Sequence, residues 1–166
     1  VALVMVFAEP GNPYAEMDFS AAQTATEYIH DTVCHSDSRR CGANAHGFTG
    51  DRFHRNVQWF IEQCFPESPP DQHMRKVWQT EARLCSVPEE IGRSDSFPCA
   101  ETYLRPQFEL LRHAVWVAFG GKAQRTMRRL RLPHLAAYAL APPGCNHKPA
   151  RPSWEAAISA VRAAQR

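Results

Sequence analysis

The chain has 166 residues, of which 44% are hydrophobic, 10% aromatic and 22% charged. That suits one globular domain, is too apolar and aromatic for a disordered chain, and includes no run of about 18 uncharged apolar residues that would cross a membrane as a helix. The net charge of +2 conceals a polarised distribution: residues 112–166 balance at +9, with Glu155 their one acid, and residues 1–111 balance at −7. Sixteen of the nineteen cations are Arg, whose planar fork suits phosphate. The polarity therefore points to an anionic partner facing the C-terminal third; a solvated basic helix is the plainer reading.

In chain order, VALVMVF lacks the basic segment and cleavage site of a secretory signal. It opens without Met inside an apolar run, so residues upstream are expected. Residues 2–8 read as a strand buried on both faces, ending in the turn cluster Glu9-Pro10-Gly11-Asn12-Pro13. Ser20 to Val33 reads as a helix with Ser20 as N-cap, followed by the polar loop CHSDSRRCGANAHG. Asp51 to Cys64 is a helix with Phe53, Val57, Phe60, Ile61 and Cys64 on one stripe, stopped by Pro66. ESPPDQ is a loop, and Val77 to Leu84 is a strand of weak alternation.

A loop rich in Pro, Glu, Gly and Ser then runs from Cys85 to Pro98. Glu101 to Arg112 is helical, with Leu104, Phe108 and Leu111 at helical spacing and Pro106 a cost to its first turn. Ala114 to Phe119 is a buried strand ending at Gly120-Gly121, and Lys122 to Leu130 is a helix. Leu135 to Leu140 is a strand followed by APPG, and Pro152 to Ala164 is a helix with Pro at its start. Apolar strands alternating with helices predict an α/β fold: a three-layer α/β/α sandwich around a mostly parallel four-stranded sheet. Ligands of such sheets sit beyond the carboxyl ends of the strands. That directs attention to Glu9–Tyr14, Glu81–Cys85, Gly120–Lys122 and Ala141–His147.

The stretch CSVPEEIGRSDSFPCAETYLRPQFELLRHAVWVAFGGKAQ, residues 85–124, resembles the iron–sulfur branch of the uracil-DNA glycosylase superfamily. It shares a Cys, a Pro-Glu-Glu loop, a second Cys, a helix reading Tyr-Leu…Gln-Phe-Glu-Leu, and a strand ending in Gly. VMVFAEPG resembles the family's first motif, GFTG at 47–50 the segment carrying the aromatic that stacks on the base, and PSWEAAI the final helix. The resemblance covers most of residues 1–166 as a single domain, with 15–45 as an insertion. It implies a monofunctional DNA glycosylase that hydrolyses the N-glycosidic bond of uracil or a related deaminated base during base-excision repair, acting as a cytoplasmic monomer on single- or double-stranded DNA.

Such an enzyme flips the nucleotide into a pocket. It then needs a carboxylate to stabilise the sugar cation and orient water, a donor for the departing base, and an aromatic face for that base. Glu9 is the one acid in the first turn and takes the carboxylate role; it stands one place beyond the branch's own Glu, where other branches carry Asp or Asn. A turn Glu capping a nearby amide is the alternative. Asn12 and Tyr14 position water or close the pocket, or are ordinary turn residues. The resemblance makes Phe48 the stacking aromatic, against the usual role of a Phe in a core.

Two positions depart from the family. Glu81 stands where an Asn often reads the uracil edge, and an ionised Glu donates no hydrogen bond to a carbonyl. Either burial keeps Glu81 protonated, or the preferred base is not uracil, or Glu81 is a surface residue outside the motif. After the last strand, Ala141-Pro142-Pro143 replaces His-Pro-Ser, leaving Asn146, His147 and Lys148 as the nearest donors, with His147 the candidate acid. Gly121 and Lys122, at a strand-to-helix turn, present amides and a cation to phosphate, or the glycines serve close packing alone. Arg125, Arg128 and Arg129, with Arg131 and beside Lys148 and Arg151, suit a DNA backbone read without sequence specificity.

The six cysteines form no CxxC pair. Cys85 and Cys99 match the later two cluster ligands of the iron–sulfur branch, and a [4Fe-4S] cluster needs four. Upstream ligands, substitution by Cys34 or Cys41, and loss of the cluster are the three outcomes. Zinc at His30, Cys34, Cys41 and His46 has suitable ligand types at irregular spacing. Cys64, on an apolar stripe, reads as core. Three alternatives to the glycosylase stand: a DNA- or nucleotide-binding member of the same fold with weak or lost excision, an unrelated small α/β hydrolase, which the absence of G-x-S-x-G and P-loop motifs disfavours, and a non-enzymatic interaction module, against which the clustered polar turns at the strand ends argue.

Overall fold

In the computed structural model, which describes residues 1–8, 24, 52–84 and 97–165, the apolar run LVMVF forms β1 (Leu3–Phe7) with all five residues buried. A strand apolar on both faces belongs at the centre of a sheet. β1 lies there, paired in parallel with β2 (Val77–Glu81) on one side and β3 (Val115–Phe119) on the other. β4 (Leu135–Ala137) adds in parallel to β3, giving the order β2-β1-β3-β4. The chain is therefore α/β with an all-parallel four-stranded sheet.

Strand alternation divides the core into two layers. Leu3, Met5 and Phe7 face α1 (Arg52–Cys64) and α6 (Ala150–Ala163), meeting Val57, Phe60, Ile61, Trp154, Ile158 and Val161. Val4 and Val6 face the other way, toward Leu104 and toward Ala123 and Met127 of α5 (Gly120–Arg129). The predicted stripe of the first described helix is present, with Val57, Phe60, Ile61 and Cys64 buried and Phe53 partly buried against the same core.

Several boundaries differ from the sequence reading, each for a local reason. α2 (Pro70–Lys76) occupies part of the expected ESPPDQ loop, because Pro70 stands at its first position, where a missing N–H is tolerated. His73 of α2 donates from Nε2 toward the carbonyls of Phe65 and Ser68, at 3.2 and 2.9 Å, which fixes the α1–α2 connection. Pro106 does not interrupt its helix. α3 (Phe97–Cys99) passes through a π-helical turn, Ala100–Leu104, into α4 (Arg105–Leu110), where Pro106 sits in the first turn. The wider turn, closed by Arg105 N–H to the Ala100 carbonyl, relieves the clash that a proline ring makes with an α-helical carbonyl. β4 ends at Ala137 rather than Leu140, because the next backbone groups bond to helix side chains.

Candidate functional site

The chain passes from β1 to β2 on one side of the sheet and from β3 to β4 on the other. The order reverses between β1 and β3, and a crevice opens at such a switch point beyond the strand carboxyl ends. Phe7, the last residue of β1, is stacked on Phe119, the last residue of β3, with ring centroids 5.6 Å apart. Phe53, from the first turn of α1, meets Phe7 edge-on at 5.1 Å. An aromatic floor of Phe7, Phe53 and Phe119 thus lies beneath the carboxyl ends of β1 and β3. Phe53 was assigned to the helix stripe from its spacing; its place at the strand ends needed the sheet order.

Glu81 lies beside this floor. It is in register with Phe7, on the same side of the sheet, and one of its carboxylate oxygens is closed off from solvent. The pairing continues past the strands, with Ala82 N–H donating to Phe7 O at 2.8 Å and Arg83 N–H to Ala8 O at 3.1 Å, so Glu81 is held rigidly to the exit of β1.

On the far side, Gly120 begins α5 at φ +85°, and an added Cβ there would stand 3.0 Å from the Ala139 methyl. Close packing is thus a requirement at Gly120. Gly121 is exposed, and the Arg125 guanidinium leans back over it, 3.3 Å from where a Cβ would be. Lys122 is half-buried in the same turn.

The loop after β4 carries the remaining donors. Its exit is bonded by three helices: Gln124 of α5 donates to Ala137 O at 2.8 Å, Trp154 of α6 to Tyr138 O at 2.9 Å, and Asn56 of α1 to Leu140 O at 2.7 Å. Ser153 of α6 accepts from Tyr138 N–H at 3.0 Å. Beyond it, Asn146 and Lys148 are exposed, and His147 is exposed with its ring 6.0 Å from that of Tyr138. Tyr138 was not singled out from sequence, where it lay inside an expected strand.

The structure separates some residues that the sequence grouped. Arg128 and Arg129 fill the last turn of α5, about 12 Å along the axis from Gly120, whereas Lys122 and Arg125 lie nearer the strand carboxyl ends. Arg151 is on the opposite face of the sheet, its guanidinium 3.5 Å above Trp59 and 3.2 Å from Glu155. Glu9, Asn12, Tyr14, Phe48 and Cys85 lie outside the described residues, as do the insertion apart from Thr24 and the zinc candidates His30, Cys34, Cys41 and His46.

The described residues do not make up a cluster site. Cys99 Sγ accepts the Leu84 N–H at 3.4 Å, but Cys64 belongs to the other core layer and Cys145 to the loop after β4. No group of three His, Cys, Asp or Glu suited to a metal occurs among the described residues. Nor does any described helix have the length and apolarity to cross a membrane. No known protein family, no curated protein sequence and no solved structure matches the chain.

Proposed function

We propose that the chain is a DNA glycosylase of the uracil-DNA glycosylase type, hydrolysing the bond between deoxyribose and uracil or a related deaminated base. The observation that carries the reading is the switch point: the carboxyl ends of β1 and β3 meet over the aromatic floor of Phe7, Phe53 and Phe119, with Glu81 fixed beside it. The motif resemblance supplies the reaction; the switch point is where ligands of such sheets ordinarily sit.

In this mechanism the flipped nucleotide enters the crevice with its base on Phe48 and Tyr14. Glu9 faces C1′, stabilises the cation that forms as the C1′–N bond breaks, and orients the attacking water together with Asn12. The water oxygen bonds to C1′ and its proton passes to Glu9, while the base departs with the bonding electron pair. His147 donates to the leaving base, and Glu81 and Asn146 read its edge. Gly121 N–H, Lys122, Arg125 and Lys148 bind phosphates beside the crevice, with Arg128 and Arg129 further along α5. The enzyme works as a cytoplasmic monomer, and no step is assigned to a cluster.

The test is incubation with labelled single- and double-stranded oligonucleotides carrying uracil, hypoxanthine or xanthine, scored for alkali-labile abasic sites. Abasic product that Glu9→Gln abolishes is the expected result. Product unaffected by Glu9→Gln removes the mechanism and leaves the activity. DNA binding without product favours a second reading, a DNA- or nucleotide-binding protein with lost excision, which the Ala141-Pro142-Pro143 sequence favours because no histidine stands there. Neither binding nor product returns the chain to an unrelated α/β hydrolase or interaction module.

A further inference from the structure

We infer that Tyr138 is a positioning residue for His147, its ring holding the exposed imidazole in one orientation beyond the carboxyl end of β4. The inference rests on the proposed function for what His147 does, and it adds to that site a residue to which no motif pointed. β4 ends at Ala137, so Tyr138 is the first residue past the sheet. Its side chain is 40% exposed and belongs to neither core layer, so core packing does not account for where its ring stands. That ring lies 6.0 Å from the His147 ring, with 49° between the planes. Aromatic rings attract one another at centroid separations of about 4.5–7 Å.

Both partners are anchored through their main chains to the start of α6. Tyr138 N–H donates to Ser153 Oγ at 3.0 Å, and Tyr138 O accepts from Trp154 Nε1 at 2.9 Å. Ser153 Oγ in turn donates to Ala150 O at 2.7 Å. His147 O accepts from Ala150 N–H at 2.9 Å, and His147 N–H donates to Gly144 O at 3.3 Å. The two backbones are thus fixed relative to one another. The imidazole itself is held differently: no hydrogen bond to the His147 ring occurs among the described residues. A histidine that transfers a proton is ordinarily oriented by a hydrogen bond to its second nitrogen. Here the Tyr138 ring takes that place and occupies neither nitrogen.

The other described contacts between an imidazole and an aromatic ring are of a different kind. His73, beside Phe65, is buried, and its Nε2 lies against two carbonyls. His54, beside Phe53, is that residue's neighbour in sequence on α1. Among the described residues, Tyr138 and His147 alone combine an exposed imidazole with a ring brought to it across a loop. An exposed side chain samples several rotamers, and a donor to a departing base works only from those that reach it. The ring contact narrows that choice.

The test is excision kinetics of the full chain on the lesion that the parent removes fastest, with NMR of the His147 imidazole in the same variants. Tyr138→Leu keeps the main-chain bonds to Ser153 and Trp154, so the course of the loop is retained. It is expected to lower kcat about threefold to tenfold, the bias that one such ring contact exerts, and to leave KM unchanged. It also moves the His147 ring-proton resonances, because the neighbouring ring current is gone. Tyr138→Phe restores most of the rate and the resonances, and Tyr103→Leu, at an exposed tyrosine of the π-helical turn, alters neither. Added to His147→Ala, Tyr138→Leu causes no further loss. A parental kcat for Tyr138→Leu, an additional loss in the double variant, or unmoved His147 resonances each overturn the positioning role while product still forms. Absence of product from the parent on every lesion is the separate result that overturns the proposed function, and the positioning role falls with it.

Discussion

Asn56, in the second turn of α1, donates its side-chain amide to the Leu140 carbonyl at 2.7 Å across 84 residues of sequence. This bond ties the helix that contributes Phe53 to the loop that carries Asn146 and His147. Replacing Asn56 by Leu leaves a partly buried carbonyl without its donor, at a cost of about 1–2 kcal/mol. The expected outcome is a lower urea midpoint, together with faster amide exchange at Cys145 and Asn146, whose N–H groups bond to Ala141 O and Pro143 O. An unchanged exchange rate in a destabilised variant separates general loosening from loss of this tether.

Gly120 and Gly144 both converge on the Ala139 methyl, where added Cβ atoms would lie 3.0 and 2.8 Å away. Gly120→Ala and Gly144→Ala are each expected to destabilise by about 1–3 kcal/mol. Their rescue differs. Ala139→Gly restores most of the stability of Gly144→Ala, where the fault is steric. It restores only part for Gly120→Ala, whose φ of +85° stays unfavourable for any side chain. Thermal melts of the two double variants read the distinction directly.

Cys64 is buried at the end of α1, and that burial pushes its thiol up from 9.0 to about 12, partly offset by the charge of Arg162. The folded state holds the proton more tightly than the unfolded chain. The contribution is fully present below pH 9 and is lost as pH rises toward 12, at about 1.4 kcal/mol per pH unit while the unfolded thiol alone is ionised. Cys64→Ala costs stability near neutrality through lost packing, but the gap to the parent narrows with rising pH. Urea midpoints at neutral and strongly alkaline pH check this. In the native protein, iodoacetamide should modify Cys99 and Cys145, which are partly exposed, well before Cys64.

Glu81 beside Phe7 bears on base choice under the proposed function. An ionised Glu at this position offers a uracil carbonyl no donor, whereas an amide supplies both donor and acceptor. Glu81→Asn is therefore expected to raise uracil excision relative to hypoxanthine or xanthine by at least about tenfold. Competition between the three lesions in one reaction measures that ratio. A ratio unchanged by the substitution takes Glu81 out of base reading.

The sheet was legible because its central strands are apolar on both faces: LVMVF and VWVAF carry no competing pattern. The stripe through Val57, Phe60, Ile61 and Cys64 was equally clear, since thirteen residues provide more than three turns of periodicity. Short elements were not legible. α2 hides behind Pro69-Pro70, and the π turn depends on how Pro106 is accommodated. Tyr138 and Asn56 were invisible as site-forming residues for another reason: their partners, Trp154 with Ser153 and Leu140, are chosen by three-dimensional neighbours rather than by spacing. The strand-end positions of Glu81, Gly121 and Lys122 followed from the βα alternation alone. The separation of Arg151 from the α5 stripe required knowing that α5 and α6 cover opposite faces of the sheet.

β4 has only three residues and lies at the border of the sheet, a position where a second chain can ordinarily add a strand. Here Gln124, Ser153 and Trp154 have already taken Ala137 O, Tyr138 N–H and Tyr138 O. A neighbouring molecule finds these three groups already bonded where the edge strand ends. The same three side chains that set the course of the final loop thus act as protection against edge-to-edge aggregation, so a substitution chosen to free the loop also opens a route to self-association.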